Sequence, residues 1–157
     1  MQSLKSAGIE YLYLGEELGP FSKDPDCIVN GIVQYELIAQ TKAFGEGLSQ
    51  IKKGVKNHKL VLMCAEKDPA ECHRMILVCR HLRKDFEISH ILEDGSLEDI
   101  HDTERRLMQT LRIPDVIPFT ESEDPVENAY EVMGKKNAEK HRDDNPPRMD
   151  NEPLLTI

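Results

Sequence analysis

The chain has no tryptophan and few other aromatic residues, which together make up 5% of its 157 residues. Its hydrophobic core must therefore be mostly aliphatic, and its length suits one domain. No apolar run approaches the roughly 20 residues of a membrane-spanning helix, and no apolar segment typical of a secretory signal follows Met1. These absences predict a cytoplasmic protein that does not enter a membrane.

Positive charge is also scarce. The chain has 20 Lys and Arg against 29 Asp and Glu, which gives a formal net charge of −9. Such a balance argues against general nucleic-acid binding, which depends on neutralising phosphates. Residues 120–157 carry ten acidic and five basic side chains, so they contribute −5 of the −9. The rest of the chain is only mildly acidic, and a local site for a small anion is compatible with it.

The segment KLVLMCAEKDPAECHRMILVCRHL, residues 59–82, carries most of the chemistry. Its short apolar run predicts a strand over residues 59–64 that is buried on both faces. Asp68 is a good helix N-cap and Pro69 a good first helical residue, and apolar residues then recur every three or four positions. We therefore predict a helix over residues 69–84, joined to the strand by a short loop.

Several reactive side chains gather where this strand would lead into the helix. They are Cys64, Glu66, Cys72, His73 and Arg74. Open α/β sheets bind their ligands at this edge, so we predict catalytic roles for the two thiols, the imidazole and Glu66. Arg74 is predicted to bind an anion, and Asp94, which follows the next strand, is predicted to contribute to ligand binding or to form a turn.

Other interpretations of these residues remain open. Ala70 stands where a Cys-x5-Arg phosphatase loop would place its arginine, which argues against phosphatase chemistry of that kind. Cys64, Cys72 and His73 could also bind a metal ion, although neighbouring helical residues point about 100° apart, and we assign no metal ligands from the sequence. In a purely structural interpretation, Cys72 is a core residue and Arg74 pairs with an acidic neighbour.

The order of elements predicts an α/β fold with a three-layer, mostly parallel open sheet. Residues 4–8 resemble the end of a helix capped by Gly8. Strands are predicted at 9–14, 59–64 and 87–92, and helices within 31–57, broken near Gly45 and Gly47, over 69–84, and from Ser96–Asp99 to about Leu111. Residues 1–119 would form this domain. Residues 120–157 would form an acidic, partly disordered tail with a helix at 125–140.

The run Cys-x-Glu-x-x-Pro-x-x-Cys-His-Arg, from Cys64 to Arg74, resembles the hallmark of a family known only as domain of unknown function DUF488. The resemblance extends to residues 8–19, to residues 90–95 and to Ala129-Tyr130, and so covers about residues 4–140. It implies an α/β fold with a site around these residues, and it supplies no reaction or substrate.

The chain departs from the family pattern in two places. Members usually begin with a further strand, helix and strand, which carry a Gly-His-Ser-like and an Asp-x-Arg segment, and the resemblance leads us to expect that the chain lacks this unit. Pro20 also stands where a second glycine is usual. An incomplete sheet would leave an exposed edge along which the chain could form a homodimer.

Two main functions follow as hypotheses. The first is an enzyme, or an enzyme remnant, that binds a small anionic ligand resembling a nucleotide or phosphate. The second is a metal- or ligand-binding sensor module without catalysis, and a structural fragment is a third interpretation. No cofactor is identifiable from the sequence.

Overall fold

The computed structural model describes residues 2–114 and 124–140. Its α-helices are α1 Gln2–Ser6, α2 Gly15–Leu18, α3 Tyr35–Ile38, α4 Lys42–Gly54, α5 Ile100–Leu111 and α6 Pro125–Lys140. Its strands are β1 Ile28–Val29, β2 Ile32–Val33, β3 Ser89–Ile91 and β4 Leu97–Asp99. Further helical turns are Pro25–Cys27, Pro69–Glu71 and Cys79–His81, all 3-10, and the π-helical Arg74–Val78.

The predicted three-layer, mostly parallel sheet is wrong. Within the described residues the strands form two separate antiparallel hairpins, β1 with β2 and β3 with β4. In the second hairpin, Ser89 lies opposite Asp99 and Ile91 opposite Leu97. The fold is therefore a mixed α/β fold in which helices predominate.

The two apolar segments predicted as strands at 9–14 and 59–64 do not pair with a neighbouring strand within the described residues. Residues 9–14 and 59–64 have no regular secondary structure, and large side chains in both are exposed, with Leu12 at 65%, Val61 at 73% and Met63 at 75%. A strand requires hydrogen bonds to a neighbouring chain segment, and nothing within 2–114 and 124–140 supplies them. An apolar pattern alone does not show whether a segment is available to pair with.

The predicted continuous helix over residues 69–84 is also wrong. A 3-10 turn ends at Glu71, and the backbone of Cys72 is extended, with φ −93° and ψ 134°. Helical backbone resumes at His73 and continues through the π-helical and 3-10 turns to His81. The interruption at Cys72 separates the capped turn from the buried apolar stripe.

Gly45 and Gly47 do not interrupt a helix, although the sequence predicted a break near them. Helix α4 runs through both Gly45 and Gly47, with Thr41 capping its start by accepting a hydrogen bond from the Phe44 N–H. Gly47 is required by packing, because a Cβ atom there would lie 2.7 Å from a Leu18 methyl group. Its missing side chain lets α2 lie against α4.

The core is aliphatic, as the composition indicated, with a few large buried side chains at its centre. Those with less than 2% exposure include Tyr130, Phe44, Met75, Ile76, Leu77 and Leu107. Helix α6 packs against α5 and the π-helical turn, and buries Ala129, Tyr130 and Met133. Within the tail predicted over 120–157 to be partly disordered, residues 120–123 and 141–157 lie outside the described residues. In the described part of the chain no helix has the length and apolarity that crossing a membrane requires.

Candidate functional site

The loop between the two cysteines is held by Asp68. Its Oδ1 accepts a hydrogen bond of 2.9 Å from the Ala70 N–H and so caps the Pro69–Glu71 turn, as predicted. Both carboxylate oxygens also accept hydrogen bonds from Arg106 of α5, at 2.9 and 3.0 Å. These bonds lower the pKa of Asp68. Arg106 also binds Glu98 of β4, at 2.8 Å, and thereby ties the loop to the second hairpin.

Cys64, Cys72 and His73 come together at this loop. The Cys64 Sγ lies 3.4 Å from the His73 Nδ1, and the two sulfur atoms and an imidazole nitrogen lie within 4.8 Å of one another. Two adjacent residues can meet at one point because Cys72 is extended and His73 is helical. The geometric objection to a shared site, which assumed that both residues were helical, therefore does not apply.

The two thiols differ in accessibility. Cys72 is fully buried, whereas Cys64 and His73 are half-buried and reach the surface. Burial raises the pKa of the Cys72 thiol, and a hydrogen bond with Cys64 raises it further, while the bond from the Arg74 N–H opposes the shift. Cys72 is therefore held as a neutral thiol, and Cys64 is the sulfur that an external molecule can reach.

The Arg74 side chain lines a groove of about 330 Å³. Its Nη1 donates a hydrogen bond of 3.2 Å to the Leu62 carbonyl. The groove is mostly apolar, and it also contains His90, which is 4% exposed and whose buried Nε2 has no hydrogen-bond partner among residues 2–114 and 124–140. Burial and the nearby Arg74 charge lower the pKa of His90.

Helix α6 and Tyr35 of α3 complete the surroundings of the site. Lys140 Nζ lies 4.0 Å from a Glu66 carboxylate oxygen, and the Asn137 side chain donates a hydrogen bond of 2.9 Å to the Glu71 carbonyl. Burial raises the pKa of the Tyr35 phenol, and the two site thiols and Glu66 raise it further. Tyr35, Asn137 and Lys140 could not be identified from the sequence, because no local pattern connects them with a loop that lies far from them along the chain.

Asp94 lies in the exposed turn between β3 and β4. Its Oδ1 accepts hydrogen bonds from the Ser96 N–H at 2.9 Å and from the Ser96 hydroxyl at 2.6 Å, and these bonds lower the pKa of Asp94. The adjacent Gly95 has φ +83°, which a residue with a side chain rarely adopts. This geometry is that of a turn residue, which was one of the two interpretations of Asp94.

The structure thus brings together three of the six predicted site residues as ligand atoms around one point: Cys64, Cys72 and His73. Glu66 lies beside them, near Tyr35 and Lys140. Arg74 touches the cluster through its backbone and the groove through its guanidinium group. A thiol beside an imidazole can act as a nucleophile, and two thiols with an imidazole can bind a soft metal ion.

Comparison with known proteins gives one match. No curated protein and no solved structure matches the chain. The family described as "Domain of unknown function DUF488" matches residues 1–80, which include the entire run from Cys64 to Arg74. Because this match spans just over half of the 157 residues, the chain belongs to the DUF488 family.

Proposed function

We propose that the protein is an enzyme, or derives from one, in which Cys64 acts as a nucleophile on a small anionic ligand resembling a nucleotide or phosphate. The observation that carries the proposal is the distance of 3.4 Å between the Cys64 Sγ and the His73 Nδ1. The thiolate is the reactive form of cysteine, and an adjacent imidazole promotes it by accepting the proton. Cys64 is the accessible sulfur, so it is the one that attacks.

The positions of Arg74 and His90 favour an anionic ligand. The guanidinium group lines the groove next to the thiol cluster, and the buried His90 Nε2 in the same groove has no hydrogen-bond partner in the described part of the chain. A buried polar atom without a hydrogen bond costs free energy, which an oxygen atom of a ligand would recover. Glu66 is assigned the role of orienting the reactive groups. The protein acts in a reducing compartment, the cytosol, where its four free cysteines remain thiols.

The first prediction concerns the alkylation of Cys64 by iodoacetamide at pH 7, followed by peptide mass spectrometry. The His73 imidazole can accept the thiol proton during the attack, so pairing with His73 is expected to raise the alkylation rate of Cys64 about tenfold over that of the urea-unfolded chain. His73→Gln should remove most of this increase. The matched control, His58→Gln, changes an exposed histidine and should leave the rate unchanged.

The same experiment tests the anion site when iodoacetate replaces iodoacetamide. The wild-type protein should favour the anionic reagent more than the unfolded chain does, Arg74→Lys should keep part of this preference, and Arg74→Gln should lose it. Arg105→Gln, which removes an exposed charge, is the control. The proposed function would be contradicted if Cys64 were alkylated at the same rate in the folded and unfolded chains and His73→Gln did not change that rate. Such a result would favour a structural role.

A metal-sensing module is the second candidate, supported by the three ligand atoms within 4.8 Å of one another. Two thiolates and an imidazole are common zinc ligands, and the fourth position of such a site can be taken by water or another ligand. Binding would require both thiols to lose their protons, and burial of Cys72 opposes this in the absence of a metal ion.

The second prediction tests this candidate with Co²⁺, which reports thiolate coordination by an intense near-ultraviolet absorption. A one-to-one titration end point that Cys64→Ser and Cys72→Ser each abolish would support the metal module. Cys79→Ser is the control, since Cys79 lies outside the three-residue cluster. Absence of the thiolate band at millimolar Co²⁺ would exclude the candidate.

A further inference from the structure

We propose that Cys64 and Cys72 form a reversible disulfide when the protein encounters hydrogen peroxide, so that the site is a redox centre. The proposal rests on the proposed function in one respect, the accessibility and reactivity of Cys64. It adds a second role for this site and a specific function for Cys72, which is too deeply buried to react with an external molecule by itself.

The two sulfur atoms are already close. Both thiols are free, and their Sγ atoms belong to the group that lies within 4.8 Å. A disulfide bond requires a separation of about 2.05 Å, so closure needs a movement of less than 3 Å, roughly the difference between these two lengths. No other pair of cysteines in the described residues belongs to such a cluster.

The backbone around Cys64 allows this movement. In the described part of the chain, residues 60–64 make no backbone–backbone hydrogen bond, and the Leu62 carbonyl is held only by the Arg74 side chain. Cys72 is anchored more firmly, because its carbonyl accepts hydrogen bonds from the Met75 and Ile76 N–H groups. Cys64 can therefore approach Cys72 without unfolding a helix or a hairpin.

The difference in exposure determines the order of the steps. Cys64 transfers its proton to His73, and the thiolate attacks one peroxide oxygen, which breaks the O–O bond. The departing hydroxide takes the proton from His73 and leaves as water, so that Cys64 becomes a sulfenic acid.

The Cys72 sulfur then attacks the Cys64 sulfur. The S–O bond breaks, and the hydroxyl group leaves as a second water molecule with the Cys72 proton. Over both steps the two sulfurs lose two electrons and the peroxide gains them. The reaction removes both free thiols of the site, and a thiol reductant restores them.

The third prediction tests this with the full chain in the presence of EDTA, so that no metal ion protects the thiols. After treatment with stoichiometric hydrogen peroxide and blocking of free thiols, mass spectrometry should show the loss of two hydrogen atoms and a linked pair of peptides containing Cys64 and Cys72. Dithiothreitol should reverse both changes. In Cys72→Ser, dimedone should instead trap a sulfenic acid at Cys64, and the control Cys79→Ser should behave as wild type.

The equilibrium in a glutathione redox buffer separates this proposal from the proposed function, because the final ratio of thiol to disulfide does not depend on how fast Cys64 reacts. Fast alkylation of Cys64 without any Cys64–Cys72 disulfide in either experiment would overturn the redox proposal and leave the proposed function intact. A Cys64–Cys72 disulfide in the glutathione buffer with slow alkylation would contradict only the proposed function. A disulfide between Cys64 and Cys79 would also overturn the redox proposal.

Discussion

Replacing Arg83 by methionine is expected to lower the free energy of unfolding by about 3–5 kcal/mol, the usual cost of leaving a buried charge without its partner. The Arg83 side chain is 10% exposed and lies 3.2 Å from a carboxylate oxygen of Glu104, which is 4% exposed. The same guanidinium group binds Glu127 at 2.9 Å and so connects α6 to α5 through one cation. Methionine retains much of the aliphatic volume of arginine, so the measured loss reports mainly the missing charge.

Urea unfolding followed by circular dichroism measures this effect. The control is Lys42→Met, because the ion pair of Lys42 with Glu46 is largely exposed and should be worth less than about 1 kcal/mol. Adding Glu104→Gln to Arg83→Met should restore part of the stability, since it removes the unpaired charge. A decrease in the free energy of unfolding of less than about 1 kcal/mol for Arg83→Met would contradict this prediction. It would show that the buried Glu104 carboxylate does not need the Arg83 guanidinium group to be stabilised.

Replacing Tyr130 by alanine is expected to destabilise the protein by about 3–5 kcal/mol, as for other large aromatic residues removed from a core. Tyr130 has no exposed surface. Its hydroxyl donates a hydrogen bond of 2.8 Å to Glu104, and the Arg83 guanidinium carbon lies 5.6 Å from the centre of its ring. The substitution thus creates a cavity and also removes a donor from a buried carboxylate.

Tyr130→Phe separates these two contributions. It keeps the ring and should cost about 1–3 kcal/mol for the lost hydrogen bond, measured by the same unfolding experiment. If Tyr130→Phe were as destabilising as Tyr130→Ala, the hydrogen bond to Glu104 and not the packing would dominate. Tyr130 and Arg83 share Glu104 as a partner, so their double variant should not show additive losses.

Features that depend on neighbouring residues could be predicted from the sequence. The cap formed by Asp68 on the turn that Pro69 begins is present, and so is the helix end before Gly8, whose φ is +72°. The family identification from the Cys64–Arg74 run is confirmed. Each of these depends on side-chain and backbone chemistry within a few residues, which the order of amino acids specifies directly.

The arrangement of the apolar segments could not be predicted in the same way. Residues 59–64 have the composition of a buried strand, yet Val61 and Met63 are exposed, because strand formation depends on a partner segment and not on composition alone. The extended backbone at Cys72 was equally hidden, since no proline or glycine stands between Ala70 and Met75 to mark a break in the helix.

The amino-acid sequence by itself thus determined which reactive groups are available and which short turns hold them, because a proline, a cap or a run of Cys, His and Arg acts locally. Only the tertiary structure decided that Cys64 meets Cys72 and His73, that the Arg74 guanidinium lies in the adjoining groove, and that Tyr35 and α6 border the site. These relations depend on the packing of α6 against the body of the protein and on the break at Cys72. Long-range contacts of this kind follow from how the whole chain buries its apolar surface, which no local pattern records.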